Sequence, residues 1–416
     1  MHQLLGPGVA WCMLALGCAA AVAQEGRVDG AVRFEQDRFA IGFWVDPPMD
    51  EKADNRYREI AEANFTLVIG GFGGGDPEIV ARQLDLCKKY ELRALVAVKG
   101  FDEALLPEGP ACWGYKVRDE PNAADFPGLR EKVDAVRAAR PGKLAYINLF
   151  PNYANEQQLG TATYDEHVRL FCETVDPDVL SMDHYPGFHP EGDGRAAYCS
   201  NLAVLRKYSL QQDVPFWNFF NTMPYGPHTD PTEAQLRWQI FTSLTYGAKG
   251  VLYFCYYTPF SHEFPKGGAI IHRDNRRTRH WYEARRINER LQNLGPTLMK
   301  LTSTEVRRIA ADDDVSEALE GLPITNLDRA PHDPKFELLV GVFDHADGRR
   351  AVMLTNYQFA YSQWPTIAFD VPASEVVEVD QWSGNERTVL DDSPDMDGLQ
   401  ISLDSGEGRL FLLPGN

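Results

Sequence analysis

Eight short apolar segments, most of them followed by a stretch of helical periodicity, organise the chain up to Met299. They fall at residues 39–45, 65–69, 92–98, 114–117, 144–149, 179–182, 216–220 and 251–256. Helical patterns lie at 57–64, after Pro77, and at 126–139, 164–175, 195–209, 232–246 and 280–299. Each apolar segment is too short for a buried helix and is bounded by polar or turn residues, so it reads as a buried strand. Strands that alternate with helices build parallel sheets, because the helix supplies the crossover. Eight such units predict an α/β fold of the (β/α)8 TIM-barrel kind. The third unit is the exception, since residues 101–112 offer little helix.

A doubly wound sheet is the competing arrangement, and it would carry a nucleotide fingerprint. The run Gly71-Phe72-Gly73-Gly74-Gly75-Asp76 stands in the right place but puts Asp76 where GxGxxG needs its third glycine. It reads as a flexible loop on the strand-exit face. Beyond Leu301 the pattern changes to alternating segments at 338–343, 350–356, 366–369, 376–382, 399–403 and 409–413. Asp347-Gly348 and Ser383-Gly384 provide turns between them. The expectation is a small C-terminal antiparallel β-sandwich over 301–416 after a barrel over 24–300, with the change falling between Met299 and Lys335. Asp312 to Asp314 read as a solvated acidic turn.

Residues 9–23 form an apolar run of small residues ending in Ala21-Val22-Ala23, the pattern of a signal peptide (1–23) with an Ala-x-Ala cleavage site. Ala15-Leu16-Gly17-Cys18 is an imperfect lipobox, and on that second reading Cys18 becomes a lipid anchor. Either way the protein is expected to be exported, to the periplasm or beyond. No other stretch is long and apolar enough to span a bilayer. With 41 Lys and Arg against 60 Asp and Glu, the net charge of −19 repels a phosphate backbone and excludes a nucleic-acid partner. Cys87, Cys112, Cys172, Cys199 and Cys255 show neither CxxC nor metal-type spacing and read as free thiols, with Cys112–Cys199 the one pairing worth weighing.

In a barrel the chemistry sits where the strands exit. Those positions hold Asp46, residues 70–75, Lys99, Asp119-Glu120-Pro121, Asn148, Asp183-His184-Tyr185, Asn218, Asn221 and Tyr256-Tyr257. Glu120 is the sharpest signal, directly at a strand exit before a proline. A carboxylic acid there suits proton donation to a leaving glycosidic oxygen, and a cleft would raise its pKa toward that task. Asp183 is the second candidate, as water activator, nucleophile or hydroxyl ligand. Asp119, Asp46, Asn148, His184, Tyr185, Asn218 and Tyr256 are candidate sugar-binding groups, and Trp44 offers a stacking face. Side-chain alternation sends only some of Asp183, His184 and Tyr185 inward. The ten His form neither HxH nor HExxH, and GxSxG is absent, so neither a metal nor another cofactor is expected. Arg276-Arg277-Thr278-Arg279, with Arg285-Arg286 beyond, reads as a solvated helix start, or as a grip for an acidic sugar.

Glu120-Pro121 resembles the strand-four Asn-Glu-Pro of clan A glycoside hydrolases, with Asp119 in the Asn place. Pro215-Phe216-Trp217 and Gly247-Ala248-Lys249-Gly250-Val251-Leu252-Tyr253-Phe254 are similar to the corresponding stretch of the family 42 β-galactosidases. The resemblance implies a barrel glycosidase with Glu120 as general acid/base. It supplies no nucleophile, because Asn218-Phe219-Phe220-Asn221 follows where the clan places a strand-seven Glu. Asp183, Asp46 or Glu263 would then be the second carboxylate. A retaining pair stands about 5–5.5 Å apart and an inverting pair about 6.5–9.5 Å. The expected function is hydrolysis of O-glycosidic bonds in an oligo- or polysaccharide. The alternative is a surface carbohydrate-binding protein on a degenerate barrel, and a lyase or isomerase is a third reading.

Overall fold

The structure, a computed structural model, describes residues 32–71, 74–98, 102–189, 192–329, 335–391 and 396–415. The signal-peptide segment, Cys18, Phe72, Gly73 and Lys99 lie outside them. All eight expected strands form: β1 (Ala40–Phe43), β2 (Leu67–Ile69), β3 (Arg93–Val96), β4 (Cys112–Asp119), β5 (Leu144–Asn148), β6 (Leu180–Asp183), β7 (Phe216–Asn221) and β8 (Gly250–Phe254). They make two four-stranded parallel sheets, ordered β1-β8-β7-β6 and β2-β3-β4-β5.

The two sheets meet at two seams. At one, the Thr66 amide donates to the Ile41 carbonyl at 2.9 Å while its Oγ1 accepts from the Ile41 amide at 2.9 Å. At the other, the Leu149 amide donates to Ser181 O at 2.8 Å, and Leu149 bridges Met182 in parallel.

The helices between the strands are α1 (Ala53–Glu62), α2 (Pro77–Lys89), α3 (Phe126–Ala139), α4 (Glu156–Leu159), α5 (Tyr164–Val175), α6 (Arg195–Gln212), α7 (Glu233–Thr245) and α8 (Arg279–Leu298). Local signals start them. Asp76, the residue that spoils the nucleotide fingerprint, instead caps α2, accepting from the Glu78 and Ile79 amides, with Pro77 in the first turn. The third unit has only a 3-10 turn, Glu103–Leu105.

Inward residues alternate along most strands. Leu144, Tyr146 and Asn148 on β5, Ser181 and Asp183 on β6, and Trp217 and Phe219 on β7 face the space between the sheets. Strand β4 departs from period two. Ala94 pairs with Cys112 but Leu95 with Gly114, and Lys116 pairs with Tyr146 but Arg118 with Ile147. Each shift inserts one residue. The inward side chains are therefore Trp113, stacked on Trp217, Lys116, under the Trp44 ring, and Asp119, bonded to Asn148. Tyr115, Val117 and Arg118 face out. Gly114 sits at the tightest point: a Cβ there would stand 2.0 Å from the Leu144 carbonyl oxygen. Gly114→Ala is expected to cost about 1–3 kcal/mol in urea unfolding, since only backbone can give way.

From Leu301 the chain is antiparallel. Strands β9 (Leu301–Ala310), β10 (Ile324–Asp328), β11 (Glu337–His345), β12 (Arg350–Asn356), β13 (Thr366–Phe369), β14 (Val377–Val379), β15 (Glu386–Thr388), β16 (Leu399–Gln400) and β17 (Gly408–Leu413) follow. They form a sheet β9-β11-β12-β17-β14-β15 and a sheet β10-β13-β16, with Leu338, Val340, Val352, Leu354, Ile367 and Phe411 in a shared core. The sequence reading missed β9, β10 and β15. In β9 the run Glu305, Arg307 and Arg308 hides the alternation, and all of β15 is exposed. Asp314 in the acidic turn caps the short helix Val315–Leu319 through the Glu317 amide. Helix α7 is buried on nearly every side, because it lies between the parallel strands and β12. Thr245 Oγ1 is 2.8 Å from Thr355 Oγ1. All five described cysteines are free, Cys112 and Cys199 included. No helix among the described residues is long and apolar enough to cross a membrane.

Candidate active site

A cleft of about 570 Å³ opens at the strand-exit end. Of the expected residues, Trp44, Asp119, Glu120, Asn148, Asp183 and Tyr185 line it, from β1, β4, β5 and β6 and the turns after them. Side-chain parity explains the selection on β6: Asp183 and Tyr185 turn in, and His184 between them turns out.

Four expected sugar ligands do not reach the cleft. His184 is buried with Nδ1 3.0 Å from Asn201 Oδ1 and its ring against Tyr198. Asn218 is on the outward side of β7, where its Nδ2 donates to Tyr198 OH at 2.6 Å and Ser243 Oγ at 3.0 Å. Tyr256 is buried outside the strands, stacked on Phe43 with centroids 4.4 Å apart. Asp46 is buried too, accepting from the Gly71 amide at 2.9 Å and Gln83 Nε2 at 2.6 Å. Such inward commitment removes Asp46 from the choice of second carboxylate.

At the floor, one amide organises two acids. Asn148 Nδ2 donates to Asp183 Oδ1 at 2.9 Å and to Asp119 Oδ1 at 3.2 Å, while its Oδ1 accepts from Ser181 Oγ at 3.0 Å. Tyr146 OH lies 2.9 Å from Ser181 Oγ, so the chain of bonds continues to the core. Glu120 has its backbone in the left-handed region, φ +46°, and its amide donates to Asn148 O at 2.8 Å. Val45, also on the cleft, has φ +61°. Non-glycine residues seldom adopt that conformation, and those that do concentrate where function fixes a side chain.

The acids hold their protons tightly. Burial, with the Asp119 charge adding to it, pushes the Glu120 carboxyl up to about 7. Asp119 is raised by burial, against the Asn148 hydrogen bond and the Lys116 and Arg118 charges. Asp183 is raised well above the carboxylate range by burial and by the Glu120 and Asp119 charges, with Asn148 and Tyr185 opposing. Closely packed carboxyls in low dielectric cannot all ionise cheaply.

The walls are aromatic: Trp44, Tyr153, Phe219, Tyr225, Phe254 and Phe264. Most of them escaped the sequence reading. Phe219 and Phe254 were recoverable from parity, being two residues beyond inward Trp217 and Leu252. Tyr225 and His228 stand on the long loop after β7, and only its length pointed to them. That loop is pinned from outside, where His280 Nε2 is 2.8 Å from Asp230 Oδ1 and Nδ1 is 2.7 Å from Glu283 Oε2. Glu263 lines the cleft from the loop after β8. The arginine run is spoken for elsewhere: Arg276 pairs with Asp274, Arg277 with Glu59 and Glu62, and Arg279 with Asp230 and Glu283. None of the three lines the cleft.

No family model matches the chain, and no curated protein matches it in sequence. Solved structures do match in fold. A catalytic mutant of a family 42 β-galactosidase from G. stearothermophilus is 10% identical and superposes with a TM-score of 0.61, over 91% of this chain and 99% of that one. The β-galactosidase from Bacillus circulans sp. alkalophilus is 10% identical, with a TM-score of 0.59 over 90% and 99%. A β-galactosidase from the haloarchaeon Halorubrum lacusprofundi is 10% identical, with a TM-score of 0.52 over 90% and 99%. In fold, the chain is distantly similar to the family 42 β-galactosidases.

Proposed function

We propose that the protein is a glycoside hydrolase that cleaves O-glycosidic bonds of an oligo- or polysaccharide, with Glu120 as its proton donor. One observation carries this reading: Glu120 lies in an aromatic-walled cleft with a carboxyl that stays protonated to about pH 7. A general acid works best with its pKa near the operating pH. As the bond from the anomeric carbon to the leaving oxygen breaks, its electron pair goes to that oxygen, which takes the Glu120 proton. Water then adds to the anomeric carbon and gives up its own proton. Asp183 is the first choice to receive it. Burial favours its protonated form. The positive charge that develops on the sugar ring drives that proton out to solvent water, and the carboxylate so formed takes the proton of the attacking water. Asn148, Asp119 and Tyr185 bind hydroxyls, and Trp44 stacks on a sugar face. Among the described lining residues there is neither Arg nor Lys. The proposal therefore includes a neutral glycan rather than an acidic one.

The reading includes a closed (β/α)8 barrel over 24–300, supported by the hydrogen bonds at both seams, and a sandwich domain over 301–416. It also includes export: a mature N-terminus at Gln24 would mark a cleaved signal peptide, and a lipidated Cys18 the anchor. The second reading, a carbohydrate-binding protein without activity, is favoured by one observation. The cleft is lined at the end of β7 by Phe219, and neither Asn218 nor Asn221 is an acid. Release of reducing sugar from neutral polysaccharides and aryl glycosides, compared between wild type and Glu120→Gln, separates the two. Binding without any cleavage by the wild type selects the second.

A further inference from the structure

The loop after β7 brings Tyr225 and His228 into the cleft wall, and the residues just beyond them are held from two sides. On the inside, Asn221 Nδ2 donates to Thr229 O at 3.2 Å. On the outside, Asp230 joins a ring of four charged side chains. Arg279 donates to Glu283 Oε1 at 2.8 Å and lies 2.9 Å from Asp230 Oδ2. His280 closes the ring, with Nδ1 2.7 Å from Glu283 Oε2 and Nε2 2.8 Å from Asp230 Oδ1. Ionised carboxylates only accept, so both imidazole nitrogens carry protons and His280 is an imidazolium. It is 2% exposed and stands beside Arg279 at the start of α8, where burial, the cation and the helix dipole all oppose its charge. The two carboxylates outweigh that opposition and keep the ring protonated above the ordinary imidazole range.

We propose that His280 is a positioning residue: by donating from Nε2 to Asp230 it fixes the loop after β7 and so sets the grip of Tyr225 and His228 on the bound sugar. The inference rests on the reading of the cleft as a glycan site. The His228 amide donates to Tyr225 O at 2.8 Å, so the two rings move as one turn. Their centroids are 4.8 Å apart, and each ring meets Tyr185 edge-on. When His280 loses a proton it keeps one N–H, and one of the carboxylates then faces a lone pair. Glu283 stays, one turn along the same helix with its side chain 10% exposed. Asp230 is 48% exposed on a loop, so it is the one that turns away to water. The other charged and titratable neighbours do not replace that bond. Arg279 keeps Asp230 Oδ2 and the Pro231 carbonyl, the latter at 2.8 Å, so the loop loosens without leaving. Glu233 on α7 is taken by Arg286, and Arg277 by Glu59 and Glu62. Tyr253 on β8 donates to Asn288 Oδ1 at 2.7 Å. From the β6 side His189 Nε2 lies 2.6 Å from Pro227 O, a bond that a neutral ring retains. The clamp is therefore complete at low pH and is lost as pH rises through the His280 midpoint.

Hydrogen–deuterium exchange of the full chain tests this on peptides spanning 222–231, in wild type, His280→Gln and Asp230→Asn, with rates corrected for intrinsic exchange. In wild type the loop is expected to lose about tenfold in protection as pH rises through the His280 midpoint, which nitrogen NMR of the ring locates above 6.5. In His280→Gln the loop exchanges about tenfold faster at pH 6 and no longer responds to pH. Asp230→Asn moves the response to a lower midpoint, and this shift decides the matter if the glutamine variant does not fold. With p-nitrophenyl β-galactoside as probe, His280→Gln raises KM, or Kd where the probe is bound uncleaved, by about tenfold at pH 6 while kcat stays within about threefold. A loop as protected in the folded variants as in wild type overturns the proposal, and so does a loosened loop that binds the probe as tightly as before. Loosening with weaker binding in a protein that cleaves no glycoside would leave the role of His280 standing and remove the hydrolase reading alone.

Discussion

Glu120→Gln is expected to lower glycoside hydrolysis by about a hundred- to ten-thousand-fold while glycan binding survives. The amide keeps the size and hydrogen-bonding shape of the acid but has no proton to give. In wild type the same proton sets the alkaline limb of activity: rates fall as pH rises through about 7, where Glu120 ionises. Stability should move the same way. The folded-state pKa of Glu120 lies above the usual 4.5, so its ionised form works against the fold. The penalty is absent below pH 4.5, grows between there and 7, and is fully present above. Glu120→Gln escapes it and should melt higher than wild type at pH 8 but not at pH 4. Equal hydrolysis by the two proteins would sink the assignment, whatever the melting temperatures.

Trp217→Ala is expected to cost about 3–5 kcal/mol, a large share of the stability of any domain. Its side chain is fully buried where the strands begin. Trp113 stacks on it at 6.2 Å and Tyr146 at 5.9 Å between centroids, and its Nε1 donates to Gln36 Oε1 at 2.9 Å. Gly250 makes room for it, since a Cβ there would meet Trp217 at 2.6 Å. Rigid neighbours of this kind cannot collapse into the space left by alanine. The urea midpoint should drop with the slope unchanged; a loss under about 1 kcal/mol would show that the surroundings had filled the hole.

Much of this was legible in the sequence because it depends on local pattern. All eight parallel strands and the long helices follow from hydrophobic period, proline and caps, and Glu120 from its place at a strand exit. The cleft was legible only where strands kept period two. Asp183 and Tyr185 face it and His184 does not, which alternation alone could decide. Asn218 was assigned to the wrong side of β7, although the clearly apolar core residue Trp217 beside it already fixed the parity. Asp46 and Tyr256 could not be placed, because each follows the end of its strand, where turn geometry rather than pleat sets direction; Val45 with positive φ is that turn in β1. Lys116 was missed for a different reason, since its inward direction depends on residues inserted into β4 that no side-chain pattern announces.

Those two insertions make the chemistry of β4 a matter of chain length. Point substitution changes what stands at Trp113, Lys116 or Asp119 but leaves the three-residue stride intact. Deleting Val117 would erase one insertion and rotate Lys116 or Asp119 out of the interior, with every residue type still present. Relatives of this protein that differ by one residue in that strand would therefore carry the same letters and a different floor, and libraries built only from substitutions would never sample the change.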